Sequence, residues 1–128
     1  MTARILIIDD EAPLRVMVRQ MLEKAGYTVE EAKDGEAGLK CVLQNPIDLV
    51  ITDIFMPDKD GLATILELRA QFPHIKIIAI SGGSRRGPDY LPIAKKLGAQ
   101  HTLAKPFERQ ELLDVVAGVL SQFAEAVG

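Results

Sequence analysis

The 128-residue chain is predicted to fold as a single α/β domain: a five-stranded, doubly wound parallel sheet with helices on both faces. Three observations predict it. Short β-branched apolar runs alternate along the whole chain with segments of helical periodicity. The runs at Ile5–Ile8, Leu49–Ile51 and Ile77–Ile80 are apolar at consecutive positions, as in strands covered on both faces. Neither a repeat nor a linker interrupts the alternation.

Composition bounds the rest. A 14.0 kDa chain suits one domain that buries roughly two-thirds of its unfolded surface. Hydrophobic content of 48% and charged content of 26% are those of an ordinary globule. A net charge of −3 leaves no basic stripe to neutralise phosphates, so direct nucleic-acid binding is not expected. The one cysteine, Cys41, allows no internal disulfide and reads as a small, buried hydrophobe in a reducing compartment. Neither a signal peptide nor a membrane span is legible, since Ile5–Ile8 is short and runs into acids, so a cytoplasmic location is expected.

Taken in order, Arg4–Ile8 forms a strand closed by Asp9-Asp10-Glu11. Pro13 suits the first turn of a helix, Leu14, Val18, Met21, Leu22 and Ala25 recur at helical spacing, and Gly26 ends it. Thr28–Ala32 reads as a partly polar edge strand. Asp34-Gly35 is a turn, and Glu36–Leu43 a short helix stopped by Asn45-Pro46. The third strand, from Asp48, ends abruptly at Asp53, before Met56-Pro57. Asp60-Gly61 starts a helix carrying Leu62, Ile65, Leu66 and Arg69 to Phe72, stopped by Pro73. Lys76–Ile80 is a strand ending at Ser81, followed by the loop-like Gly82–Pro88. A helix from about Asp89 to Leu97 precedes a strand at Gln100–Leu103; after Lys105-Pro106-Phe107 comes a last helix whose inward face is Leu112, Leu113, Val116, Leu120 and Phe123. Right-handed crossovers leave few topologies, and the flavodoxin-like order 2-1-3-4-5 is the expected one.

In that order the first and third strands are neighbours, and their carboxyl ends carry Asp9-Asp10 and Asp53. Alone, Asp53 reads as a strand-terminating turn residue; its companions at the same edge change that. Two carboxylates about 4 Å apart repel by roughly 4 kcal/mol at an effective dielectric of about 20, so gathering three does not stabilise a fold. A divalent cation would offset the repulsion, and hard oxygen donors favour Mg2+. Lys105 offers a positive charge, and Ser81 a hydroxyl donor, to an arriving anionic group.

The acidic pair Asp9-Asp10, Asp53 followed by Met56-Pro57, Asp60-Gly61, Ser81-Gly82 and Lys105-Pro106-Phe107 together resemble the receiver domain of two-component response regulators, over nearly the whole chain. The resemblance implies that Asp53 is the phosphoacceptor, taking its phosphoryl group from a phosphohistidine of a sensor histidine kinase or histidine phosphotransfer protein. It implies Mg2+ bound by Asp10 and Asp53 directly, by Asp9 mainly through water, and by the backbone carbonyl of Phe55. Lys105 would contact the phosphoryl oxygens, Ser81 would swing in to hydrogen-bond them, and the Lys105-Pro106 peptide would be cis. The domain would then be a signalling receiver that promotes its own phosphorylation and slow dephosphorylation, not a conventional enzyme.

Many receivers carry an aromatic three residues before the lysine; here Thr102 stands there beside His101, so signalling is expected through loop and helix movement. Arg85 and Arg86 belong either to a flexible connector or to a steering patch for an anionic donor or acidic partner. His74 and His101 read as ordinary surface or strand-end residues. An aspartate-nucleophile phosphohydrolase needs an acid two positions after its nucleophile, where this chain has Phe55. A flavodoxin-like cofactor site needs a phosphate cradle where Asp9-Asp10-Glu11 would repel one. A degenerate receiver that binds partners without phosphorylation is the alternative, opposed by the complete acidic set and Lys105. Only Ala124–Gly128 follow the last helix, so no output domain is expected. The partner would be a downstream target or an effector domain cut away. The face of the fourth helix, fifth strand and fifth helix is the implied output surface, and the face through which a homodimer would form.

Overall fold

The computed structural model describes residues 2–54, 61–81 and 91–127. Strands β1 (Arg4–Ile8), β2 (Thr28–Ala32), β3 (Leu49–Asp53), β4 (Lys76–Ser81) and β5 (His101–Ala104) alternate with helices α1 (Ala12–Lys24), α2 (Gly35–Gln44), α3 (Gly61–Gln71), α4 (Leu91–Leu97) and α5 (Arg109–Val127). All strand pairs are parallel, in the expected order β2-β1-β3-β4-β5. The order reverses between β1 and β3, and in such sheets the crevice at the carboxyl ends of these strands is where ligands bind.

The consecutive apolar runs are explained by two cores, one on each face. Successive strand side chains point to opposite faces. Leu6, Ile8, Val50, Ile77 and Ala79 therefore pack with Val42, Ile65, Leu68 and Ala94 of α2, α3 and α4. Ile5, Ile7, Leu49, Ile51, Ile78, Ile80 and Leu103 pack with Val18 and Leu22 of α1 and Leu112, Val116 and Val119 of α5. The β2 strand stands at the edge, where Glu30 and Glu31 keep access to solvent. Cys41, a free thiol, is only half-buried against the first core, and that partial burial pushes it above the ordinary thiol range.

The helices depart from the sequence reading in instructive places. In α3 the buried stripe is Gly61, Thr64, Ile65 and Leu68, spaced i, i+3, i+4, i+7, so Leu66 falls outside it and is 55% exposed. Arg69 lies half-buried at the end of α3, its guanidinium donating to the carbonyls of Pro73, Ile75 and Gly98 and to Gln100 Oε1. It thereby fastens α3 to the start of β5, which begins at His101 instead of Gln100 because Gln100 Oε1 accepts the Ile77 amide. Asp34 is more than a turn residue: its side chain caps α2 by accepting the Ala37 amide. Helix α1 closes with Gly26 at φ +102°, the amides of Gly26 and Tyr27 returning to the carbonyls of Glu23 and Leu22. In α5, Leu113 and Leu120 are only partly buried while Val119 is buried. The Phe123 side chain, the Gly82–Pro88 loop with Arg85 and Arg86, and the Asp89 start expected for the fourth helix lie outside the described residues.

At the amino edge, Asp48 joins three strands. Its carboxylate accepts the Arg4 amide at 2.8 Å, its own amide donates to the Arg4 carbonyl, and its carbonyl accepts the Lys76 amide. No helix among the described residues is long and apolar enough to cross a membrane.

Candidate functional site

Each acidic residue is delivered to the carboxyl edge by the end of its strand. Asp9 follows β1 directly; its amide donates to the Ala32 carbonyl of β2, and its Oδ1 accepts the Glu11 amide at 2.9 Å. Asp53 is the last residue of β3, and the next amide, that of Ile54, donates to the Ile80 carbonyl of β4. Lys105 follows β5 through a 2.7 Å backbone hydrogen bond from its amide to the Ser81 carbonyl. The Lys105-Pro106 peptide is cis, as the resemblance implied.

These placements bring the acids together. Asp9, Asp10, Glu11 and Asp53 each present a carboxylate oxygen, all within 4.8 Å of one another. Asp9 and Asp53 are buried, at 2% and 4% exposure, whereas Asp10 is exposed. Lys105 Nζ donates to Asp53 Oδ2 at 2.9 Å and lies 3.5 Å from Asp9 Oδ2 and 3.4 Å from Glu11 Oε1. Burial pulls the Lys105 ammonium down, but its hydrogen bond to Asp53 and the charges of Asp53, Asp9 and Glu11 outweigh it, leaving the lysine above its ordinary value and charged. Ser81 is fully buried at the end of β4, one residue beyond the Ile80 that pairs with Asp53.

Among the described residues, one ammonium against four carboxylates leaves the pocket negative. Asp9 registers this: desolvation, with the charges of Asp53 and Glu11, lifts its carboxyl to about 6, against the Glu11 amide and Lys105, which lower it. Because the folded value lies above the ordinary 3.8, the metal-free fold holds its proton more tightly than the unfolded chain does. The penalty is absent below about pH 4 and grows as pH rises through about 6, reaching on the order of 3 kcal/mol. Asp9→Asn is therefore expected to gain stability relative to the wild type between pH 4 and 7 without metal, read from urea midpoints; a gap that does not change with pH would contradict it.

The donor set fits a hard divalent cation. It is all oxygen, it carries excess negative charge, and two of its members are buried where solvent cannot relieve their repulsion. The backbone carbonyl of Phe55 lies outside the described residues. Three contributors were given no part in the site from sequence, although Asp60-Gly61 was among the motifs that carry the resemblance. Glu11 was read as part of the acidic close of β1 that would repel a phosphate cradle, yet its side chain faces Lys105 while no side-chain bond of its own caps α1. Arg15 donates to the Asp9 carbonyl at 2.7 Å. Gly61 lies against the Asp53 backbone. Position alone was the available signal: Glu11 directly follows the acidic pair, and Arg15 lies in the first turns of the next helix.

Fold and pocket together define a flavodoxin-like α/β protein with an acidic, lysine-bridged site at its strand-order reversal. Residues 5–117 match the family model of the response regulator receiver domain, and the chain belongs to that family. It is 37% identical over 117 residues to the transcriptional regulatory protein RprY of Bacteroides fragilis, covering 91% of this chain and 49% of that one. The chain spans about half the length of RprY and of several other curated relatives. A CheY-like receiver domain from Methanospirillum hungatei superposes with a TM-score of 0.91 at 27% identity, covering 98% of this chain and 99% of that one. TrrA of Thermotoga maritima, a response regulator solved in complex with Mg2+-BeF, superposes with a TM-score of 0.83 at 32% identity, covering 92% of this chain and 99% of that one.

Proposed function

We propose that Asp53 accepts a phosphoryl group from a phosphohistidine of a sensor histidine kinase or histidine phosphotransfer protein, and that the modified domain then engages a downstream protein or effector domain. The observation that carries this reading is the buried Asp53 carboxylate held at 2.9 Å by Lys105 inside a cluster of further acids. Asp10 and Asp53 would hold Mg2+, with Asp9 acting mainly through water and the Phe55 carbonyl completing the set. When bound, the cation neutralises charge on the phosphoryl oxygens.

The chain's own residues do the rest. An Asp53 carboxylate oxygen forms a bond to phosphorus as the N–P bond of the donor breaks, and the electron pair of that bond returns to the imidazole. Phosphoryl transfer asks for little more than positioning and charge stabilisation. Lys105, fixed by its backbone bond to Ser81, places its ammonium beside the attacked group. The acyl phosphate carries nearly two negative charges where the carboxylate carried one. Ser81, at the end of the neighbouring strand, answers them with its hydroxyl, and the resulting shift between two arrangements of its loop is the signal. With Thr102 in β5 where many receivers have an aromatic, no ring rotation is needed for that shift.

The test is incubation with acetyl phosphate and Mg2+, followed by intact mass. One phosphoryl group is expected with the cation and none after chelation. Mg2+ at ten times its dissociation constant should also stabilise the fold by about 1.4 kcal/mol. A chain that gains no phosphoryl group, and whose melting ignores Mg2+, refutes the reading.

A further inference from the structure

Asp9 is fastened to the edge strand in two ways, and only one of them is a direct backbone bond. Its amide donates to the Ala32 carbonyl. Its carbonyl instead accepts from Arg15 of α1 at 2.7 Å, and Arg15 Nε donates to Glu31 Oε1 at 2.8 Å. Glu31 and Ala32 are consecutive in β2, so the same short stretch of edge strand grips Asp9 from both sides, once directly and once through a guanidinium. Glu31 is itself shared: its other oxygen accepts Arg19 Nη1 at 2.8 Å. The hydrogen bond from Arg19 first, with that from Arg15 added, outweighs burial and holds the Glu31 carboxyl below its ordinary range.

We infer that Arg15 is a positioning residue for the acidic pocket, fixing the Asp9 backbone from α1 with Glu31 as its orienting partner. The inference rests on the reading of the pocket as a cation site. The planar fork of Arg can serve a carboxylate and a carbonyl at once, which a lysine ammonium does only with poorer geometry. Repulsion from Asp53 and Glu11 acts on Asp9 while the site is metal-free, so the backbone that bears it needs an anchor outside the cluster. Arg15 supplies one without pairing with a carboxylate of the cluster, because its guanidinium bond to Asp9 goes to the backbone carbonyl.

Arg19 provides a matched control, since it makes the same kind of ion pair with Glu31 at the same 2.8 Å. The experiment is a Mg2+ titration of the full chain, followed by the amide shifts of Asp9 and Asp53, for the wild type, Arg15→Ala and Arg19→Ala. Arg15→Ala is expected to weaken Mg2+ binding about tenfold, the low end of what outer partners contribute at metal sites, while Arg19→Ala keeps the wild-type affinity. Equal affinities in all three, or equal losses in both variants, would overturn the role of Arg15. Should Arg15→Ala fail to fold, Arg15→Lys, which keeps the charge beside Glu31 without the fork, is read in the same way. A wild type that itself shows no Mg2+ response refutes the cation reading and the role of Arg15 with it, whereas a wild type that binds while Arg15→Ala binds equally well refutes the role of Arg15 alone.

Discussion

Asp53→Asn is expected to gain no phosphoryl group under conditions in which the wild-type chain gains one. The loss should be complete, because an amide oxygen is a far poorer nucleophile than a carboxylate. Asp9, Asp10 and Glu11 are carboxylates too, but among the acids only Asp53 shares a 2.9 Å hydrogen bond with Lys105; the lysine stands 3.5 Å from Asp9 and 3.4 Å from Glu11. Asparagine has the shape of aspartate and keeps an oxygen for Lys105, so the fold should survive. A second readout shows that the variant is folded and altered where intended. The Asp53 charge is one of the causes that raise Asp9, so the Asp9 carboxyl should titrate lower in the variant, measured by carboxyl-carbon NMR. A folded Asp53→Asn that is modified as readily as the wild type would place the acceptor elsewhere.

Gly61→Ala is expected to cost about 3 kcal/mol, the upper end of what overpacking costs, out of a total stability of about 5–15 kcal/mol. Gly61 opens α3 against the very peptide that carries Asp53. A Cβ there would run into the Asp53 carbonyl oxygen and the Ile54 Cα, with the Asp53 carbonyl carbon 2.8 Å away. Backbone in a central strand cannot step aside. Gly38 makes the contrast: its added Cβ would meet side-chain atoms of Ile8 and no backbone. Gly118, in α5, has nothing within 4 Å, so Gly118→Ala should instead stabilise the protein by about 0.8 kcal/mol through helix propensity. Urea denaturation of both variants checks the pair. Acetyl phosphate labelling of Gly61→Ala should be slowed even in its folded fraction, because any relief of the collision moves Asp53. A Gly61→Ala variant as stable as the wild type would mean that α3 shifts away without cost.

What was legible in the sequence was whatever depends on local pattern. The apolar runs at Ile5–Ile8 and Ile77–Ile80 can satisfy two cores only in a covered parallel sheet, and from there strand order and the meeting of Asp9, Asp10, Asp53 and Lys105 follow. Misreadings came where a side chain serves a distant backbone group. Gln100 looked like the first residue of a strand because nothing local reveals that its amide oxygen takes the Ile77 N–H. Leu62, Ile65 and Leu66 all fit the helical spacing of α3, and only the packed helix decides which stripe faces inward. Arg15 and Glu31 are separated by 16 positions and lie on different elements, so no spacing rule links them. Glu11 was in plain view beside the acidic pair, yet its bearing on Lys105 depends on a chain segment 94 residues away.

The fastening at Asp48 bears on how such a pocket can work. Arg4, Asp48 and Lys76 tie the starts of β1, β3 and β4 together, while the opposite ends of the same three strands carry the acids and Ser81. The far ends are bonded backbone to backbone as well, Asp9 to Ala32, Ile54 to Ile80 and Lys105 to Ser81, so the sheet is a plate clamped at both margins. A disturbance introduced among the carboxylates is therefore expected to be taken up by the side chains at that margin and not by the strands parting.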